Sequence, residues 1–166
     1  MTWVDRLENK LEKIHNHIVA RVLLVIINTI FFLYVGVWLH EFMHFIYAAM
    51  VLHDPQTYIV YQGIGLHGYC HISMADTMLY YIGGIGTGLV YLAVWLCFLI
   101  IPGKKTVPFE LPVFITAWHN FSYGLMEGSF MLWTNYWFSL IFVNAVTFAA
   151  TILYGNRLID YIRGEI

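Results

Sequence analysis

From Ile18 to Leu52 the chain is almost wholly apolar, apart from Arg21 near its start and the segment His40-Glu41-Phe42-Met43-His44. At about 1.5 Å per residue the run is longer than a roughly 30 Å hydrocarbon core requires, which predicts a membrane-spanning helix. Such a helix must tilt, protrude or break, and Gly36 is its weakest point. Ionisable residues inside a span are expensive and mark working sites. Histidines four apart share a helix face. His40 and His44 can therefore hold one metal ion, while Glu41 stays free to take a proton from water there.

Composition supports the membrane reading. Hydrophobic residues make up 60% of the 166-residue chain and charged residues 11%, and the mean hydropathy is +0.70. A soluble domain cannot bury that much apolar surface, so the expected surroundings are a lipid bilayer. The length suits one domain. A net charge of −2 points to no nucleic-acid partner. Of two cysteines, Cys97 falls in an expected span and Cys70 in a loop, so no disulfide framework is expected.

The first seventeen residues mix acids and bases and carry no cleavable-signal pattern. Val4, Leu7, Leu11, Ile14 and Ile18 recur at helical steps opposite a charged face. Residues 1–17 are expected to form an amphipathic interfacial helix with Trp3 as an anchor. A seam for a partner helix is the competing reading.

Residues 18–166 contain four apolar runs: Ile18 to about Leu52, about Thr77 to Ile101, about Leu111 to Met126, and about Leu132 to Tyr154. Pro102-Gly103 and Gly155-Asn156 close the second and fourth. The expected fold is an all-α, four-span membrane domain. With four spans, all 8 basic residues fall on one side, which the positive-inside rule makes cytoplasmic, together with both termini. Between the first two spans, Tyr58 to Tyr61 and Tyr69 to Ile72 are β-prone and separated by glycines, which predicts a short hairpin. Asp76-Thr77 reads as a helix N-cap. The run Gly83-Gly84-Ile85-Gly86-Thr87-Gly88 lacks dinucleotide-binding spacing. Gly84 and Gly88 suit close helix packing.

Catalytic zinc usually takes three protein ligands. The candidates for the third are Glu127, His119, His67, His71, His53 and Asp76. Glu127 is preferred, being a carboxylate far from the basic clusters, whereas Asp76 and Glu110 sit at expected span edges. On a continuous helix His119 lies about 12 Å from Glu127 along the axis, so the two cannot share an ion. A break at Gly124 would relax this. His119 and Asn120 can instead hydrogen-bond a substrate backbone or a developing oxyanion, or bind neighbouring helices.

A His-Glu-x-x-His helix in an apolar span, a short β-prone loop, a glycine-rich span and a span ending in acid-glycine resemble the site-2 protease family of intramembrane zinc metalloproteases. The resemblance runs from roughly Ile18 to Ser129. The family's third ligand is the aspartate of an Asp-Gly motif preceded by an asparagine and prolines. Here Glu127-Gly128 stands in that place, His119 has the asparagine's spacing with Asn120 beside it, and the prolines have no counterpart around Ser122 and Gly124. Family members often act from the cytosolic side, whereas the charge count sets this motif nearer the other face.

The resemblance implies an endopeptidase with one zinc ion per chain, Glu41 as general base and a membrane-bound protein as substrate. Tyr58 and Val60 of the ribbon would pair with an unwound substrate strand. Two other functions fit the residues. His40/His44 and His67/His71 share a four-residue spacing, as a membrane di-metal oxidase or hydroxylase would require. A non-catalytic accessory subunit, working with other membrane subunits, is the third reading.

Overall fold

The computed structural model describes residues 17–63, 67–100, 106–133 and 136–165. The amphipathic helix expected over residues 1–17 lies outside them except for His17. Among the described residues the fold is mostly helical (80%). Its elements are α1 (Ile18–Met50), β1 (Tyr58–Gln62), β2 (His67–His71), α2 (Thr77–Ile100), α3 (Val107–Trp133), α4 (Tyr136–Leu153) and α5 (Gly155–Arg163).

α1 runs unbroken for 33 residues. Gly36 does not break it. That glycine is buried where a Cβ would meet Asn120 Nδ2 at 3.1 Å and Thr116 Cγ2 at 3.3 Å, so it lets α3 approach. α1 and α2 are each long and apolar enough to cross a membrane, and only 11% and 33% of their most apolar windows are buried. Helices of a soluble core would be covered; here Leu23, Ile27, Ile30 and Leu89 stand exposed.

α3 packs against α1, α2, α4 and α5 and forms the centre of the molecule. It begins at Val107, four residues before the expected start, and takes in both prolines. Pro108 sits in the first turn, where no amide hydrogen is needed. Pro112 cannot donate to the Pro108 carbonyl one turn back. Asn28 Nδ2 of α1 donates to that oxygen instead, at 3.0 Å. Val113 and Ala117 of α3 pack with Tyr91 in the apolar core.

Glu110 is 1% exposed, so it is no ordinary edge residue. Its carboxylate accepts from Thr106 Oγ1 at 2.6 Å, Tyr154 Oη at 2.9 Å and Arg157 Nε at 2.9 Å. Full pairing is what permits a buried charge. The fourth apolar run ends one residue early, at Leu153, and Gly155 opens α5. Arg21 Nη1 donates to the Tyr161 and Ile162 carbonyls at 3.0 Å each, satisfying the C-terminal end of α5.

β1 and β2 form the expected hairpin, antiparallel, with Tyr58 opposite His71 and Val60 opposite Tyr69. Two devices fix it beside α1. Tyr61 stacks on Trp38 with ring centroids 3.9 Å apart and donates its hydroxyl to the Trp38 carbonyl. Asp54, 3% exposed, accepts from the Ser73 hydroxyl at 2.7 Å and from the amides of Gln56, Ser73 and Met74. The Ser73 hydroxyl first, and then the amides, hold its carboxyl down at about 2. Asp76 Oδ1 accepts from the Leu79 amide at 2.8 Å, the cap expected for α2.

Candidate metal centre

One turn apart on α1, His40 and His44 are each 6% exposed. Their Nε2 atoms lie 3.1 Å apart. Glu127 Oε2, from the far end of α3, lies 3.0 Å from His40 Nε2 and 3.4 Å from His44 Nε2. A tetrahedral zinc with bonds of about 2.0–2.1 Å separates its ligand atoms by about 3.3 Å. The three observed edges fall around that value. Glu127 Oε2 is buried and has no hydrogen bond of acceptable geometry, despite two nitrogens at contact distance. The two ring nitrogens are within hydrogen-bond distance of each other, yet the carboxylate oxygen beside them stays unsatisfied, and three such atoms converging fit a cation between them. Among the described residues this is the one group of three His, Cys, Asp or Glu side chains able to share an ion.

Glycines make the convergence possible. A Cβ at Gly83 would lie 2.3 Å from His44 Nε2 and 2.8 Å from His40 Nε2. The bare backbone of α2 thus forms the wall behind the histidine pair. At Gly84 a Cβ would lie 2.3 Å from the Gly124 backbone, so α2 and α3 cross there main chain against main chain. Gly88 meets the Phe121 ring, as close packing requires. α3 does not break at Gly124, so Glu127 is carried to the site on a continuous helix. Gly128 lies against the Tyr81 ring. His44 Nδ1 faces the Leu79 carbonyl without meeting hydrogen-bond geometry.

Glu41 stands outside the triad, half-buried. Its Cγ lies where a Cβ of Gly68 would come within 2.5 Å, so β2 runs directly over it. The Cys70 backbone lies beside its carboxylate. The Cys70 thiol itself is pushed up by burial, which disfavours the thiolate needed in a ligand or nucleophile.

A cavity of about 510 Å³ adjoins the site. Val37, His40 and Glu41 of α1, His119 and Asn120 of α3, and Asn144 and Thr147 of α4 line it. His119 is outside the triad; its Nδ1 lies 3.2 Å from Thr147 Oγ1. Asn120 Nδ2 donates to the Thr116 carbonyl at 2.9 Å. The other ligand candidates lie elsewhere. His71 stacks on Tyr58, His53 is exposed at a turn with φ 54°, and Asp76 is engaged by the Leu79 amide and the Tyr47 hydroxyl. His67 and His71 lie on a strand, not on a helix facing the site. Tyr58 and Val60 are on β1, and β2 is the strand that touches Glu41.

Spacing alone overlooked Gly83, Gly68 and Thr147. The first two belong to glycine-rich stretches visible in the sequence, but which glycine faces a ligand depends on the crossing of α1, α2 and α3. Comparison with family models, curated proteins and solved structures finds no match to this chain.

Proposed function

We propose that this chain is an intramembrane zinc endopeptidase, working on the plan of the site-2 protease family that its motifs resemble. One observation carries the reading: His40, His44 and Glu127 converge with tetrahedral spacing while Glu41 is held just outside them, at the wall of a cavity. The exposed apolar faces of α1 and α2 support a bilayer setting. α3, at 27 residues, measures about 40 Å, and α4, at 18, about 27 Å. Both approach or exceed a hydrocarbon core, which supports four spans, with the basic residues and both termini on the cytoplasmic side.

His40, His44 and Glu127 would hold the zinc ion, which when bound would supply Lewis acidity that makes water at the site easier to deprotonate. Glu41 accepts the proton of the attacking water and delivers it to the departing amine. A helical substrate conceals its amides, so the scissile segment must unwind to meet Glu41 beneath β2.

The test pairs zinc content with cleavage of a membrane-embedded reporter. Glu41→Gln retains one zinc per chain and loses turnover. Full cleavage by Glu41→Gln would remove the mechanism, and zinc-replete wild-type protein that cuts nothing would favour the accessory-subunit reading.

A further inference from the structure

The lining of the cavity contains a hydrogen bond whose direction can be assigned. Thr147 has one hydroxyl hydrogen, and it goes to the Val143 carbonyl at 2.7 Å. Thr147 Oγ1 can therefore only accept from His119, 3.2 Å away. That requires the hydrogen of a neutral His119 ring to reside on Nδ1, which leaves Nε2 a bare acceptor. His119 lines the cavity, and its Nε2 has no hydrogen bond with a described residue and is not a buried orphan. The ring thus offers the cavity a lone pair and no donor. An oxyanion needs donors, so this arrangement is the wrong one to stabilise it.

Resting on the peptidase reading, we infer that the cavity binds an unwound peptide main chain, with His119 Nε2 accepting one substrate N–H and Thr147 acting as the positioning residue that fixes the tautomer. The recess is lined by apolar Leu33, Val37 and Ile115 as well as by His119, Asn120, Asn144 and Thr147, and a lipid chain would offer those polar groups no hydrogen bond. An extended peptide brings the matching donors, and these are exposed only where its own helix has opened. The cavity therefore selects for substrates with a locally unwound segment at the depth of His119. Thr147 comes from α4, which packs on α3 and α5. Recognition therefore draws on a helix that supplies no metal ligand.

The experiment uses the full chain, zinc-loaded, in lipid bicelles with ¹⁵N-labelled histidine. The probe is a leucine-rich transmembrane peptide with a central Gly-Gly pair. The wild-type His119 signal is expected to show a protonated Nδ1 and a bare Nε2, and Nε2 should shift as an accepting nitrogen on peptide addition. Thr147→Val should mix the tautomers and raise the KM for the peptide about three- to tenfold, the range of one neutral hydrogen bond. It should leave zinc content unchanged. Thr147→Ser, which keeps the hydroxyl, should restore both readouts. A protonated Nε2 in the wild-type protein, or an Nε2 signal indifferent to saturating peptide, overturns the inference. If Nε2 responds but the peptide is never cut, the peptidase reading fails while the binding site stands.

Discussion

Replacing Gly83 by alanine should remove metal from the site without touching any ligand. The added Cβ would lie 2.3 Å from His44 Nε2 and 2.8 Å from His40 Nε2. Real Cβ contacts begin at about 3.0–3.4 Å, so the His44 nitrogen must retreat by about 0.7–1.1 Å. Metal–ligand distances tolerate only about 0.2 Å. Both rings are buried and have little room to turn. Loss of a supporting group around a metal ligand typically costs about 10- to 100-fold in affinity. Displacing a ligand nitrogen outright should reach the upper end of that range or pass it. The assay is a competition titration of zinc against a chromophoric chelator. Gly86→Ala is the control, because its Cβ would meet only the flexible Met43 side chain, at 3.2 Å. Gly83→Ala protein that folds and binds zinc with wild-type affinity would refute the wall assigned to α2.

Glu127→Gln should lower zinc affinity, since it weakens one of three ligands and removes the charge that balances the cation. His119→Ala should retain zinc, and the reverse pattern would identify His119 as the ligand. Asp54, with its carboxyl held down at about 2, should anchor the hairpin fully above its unfolded value of about 3.9. Because the folded value is the lower one, that contribution should fade as pH falls from about 4 through 2. Hydrogen exchange at the Ser73 and Met74 amides, corrected for its intrinsic pH dependence, reports it; constant protection from pH 5 to 2 would contradict the assignment. Cysteines introduced at Lys105 and Arg163 should react with impermeant reagent from the same face of the membrane, and opposite faces would exclude four spans.

Much of this architecture was legible because it is periodic or local. The His40–His44 pair needs only helical spacing, the hairpin needs only two β-prone runs, and the Asp76 cap needs only its neighbours. Glu127 was found because a carboxylate in an apolar run has few other reasons to be there. The remainder depends on which elements meet. Pro112 looked like the boundary of the third run because its missing amide is a local fact, whereas the Asn28 side chain that compensates arrives from another helix. Glu110 looked like an edge residue because Arg157 and Tyr154 lie far along the chain. Gly83 and Gly84 are neighbours of one type in the sequence, yet one faces histidine nitrogens and the other a backbone.

The bond between Asn28 and the Pro108 carbonyl has a consequence for how this sequence can change over generations. Proline at 112 without asparagine at 28 strands a carbonyl in apolar surroundings, at a cost of several kcal/mol. With an ordinary residue at 112 the Pro108 oxygen, which has two lone pairs, can accept from that residue's amide and from Asn28 alike. The dependence therefore runs one way: asparagine at 28 is free to change only once proline at 112 has been replaced. The two positions, 84 residues apart, should change in a fixed order.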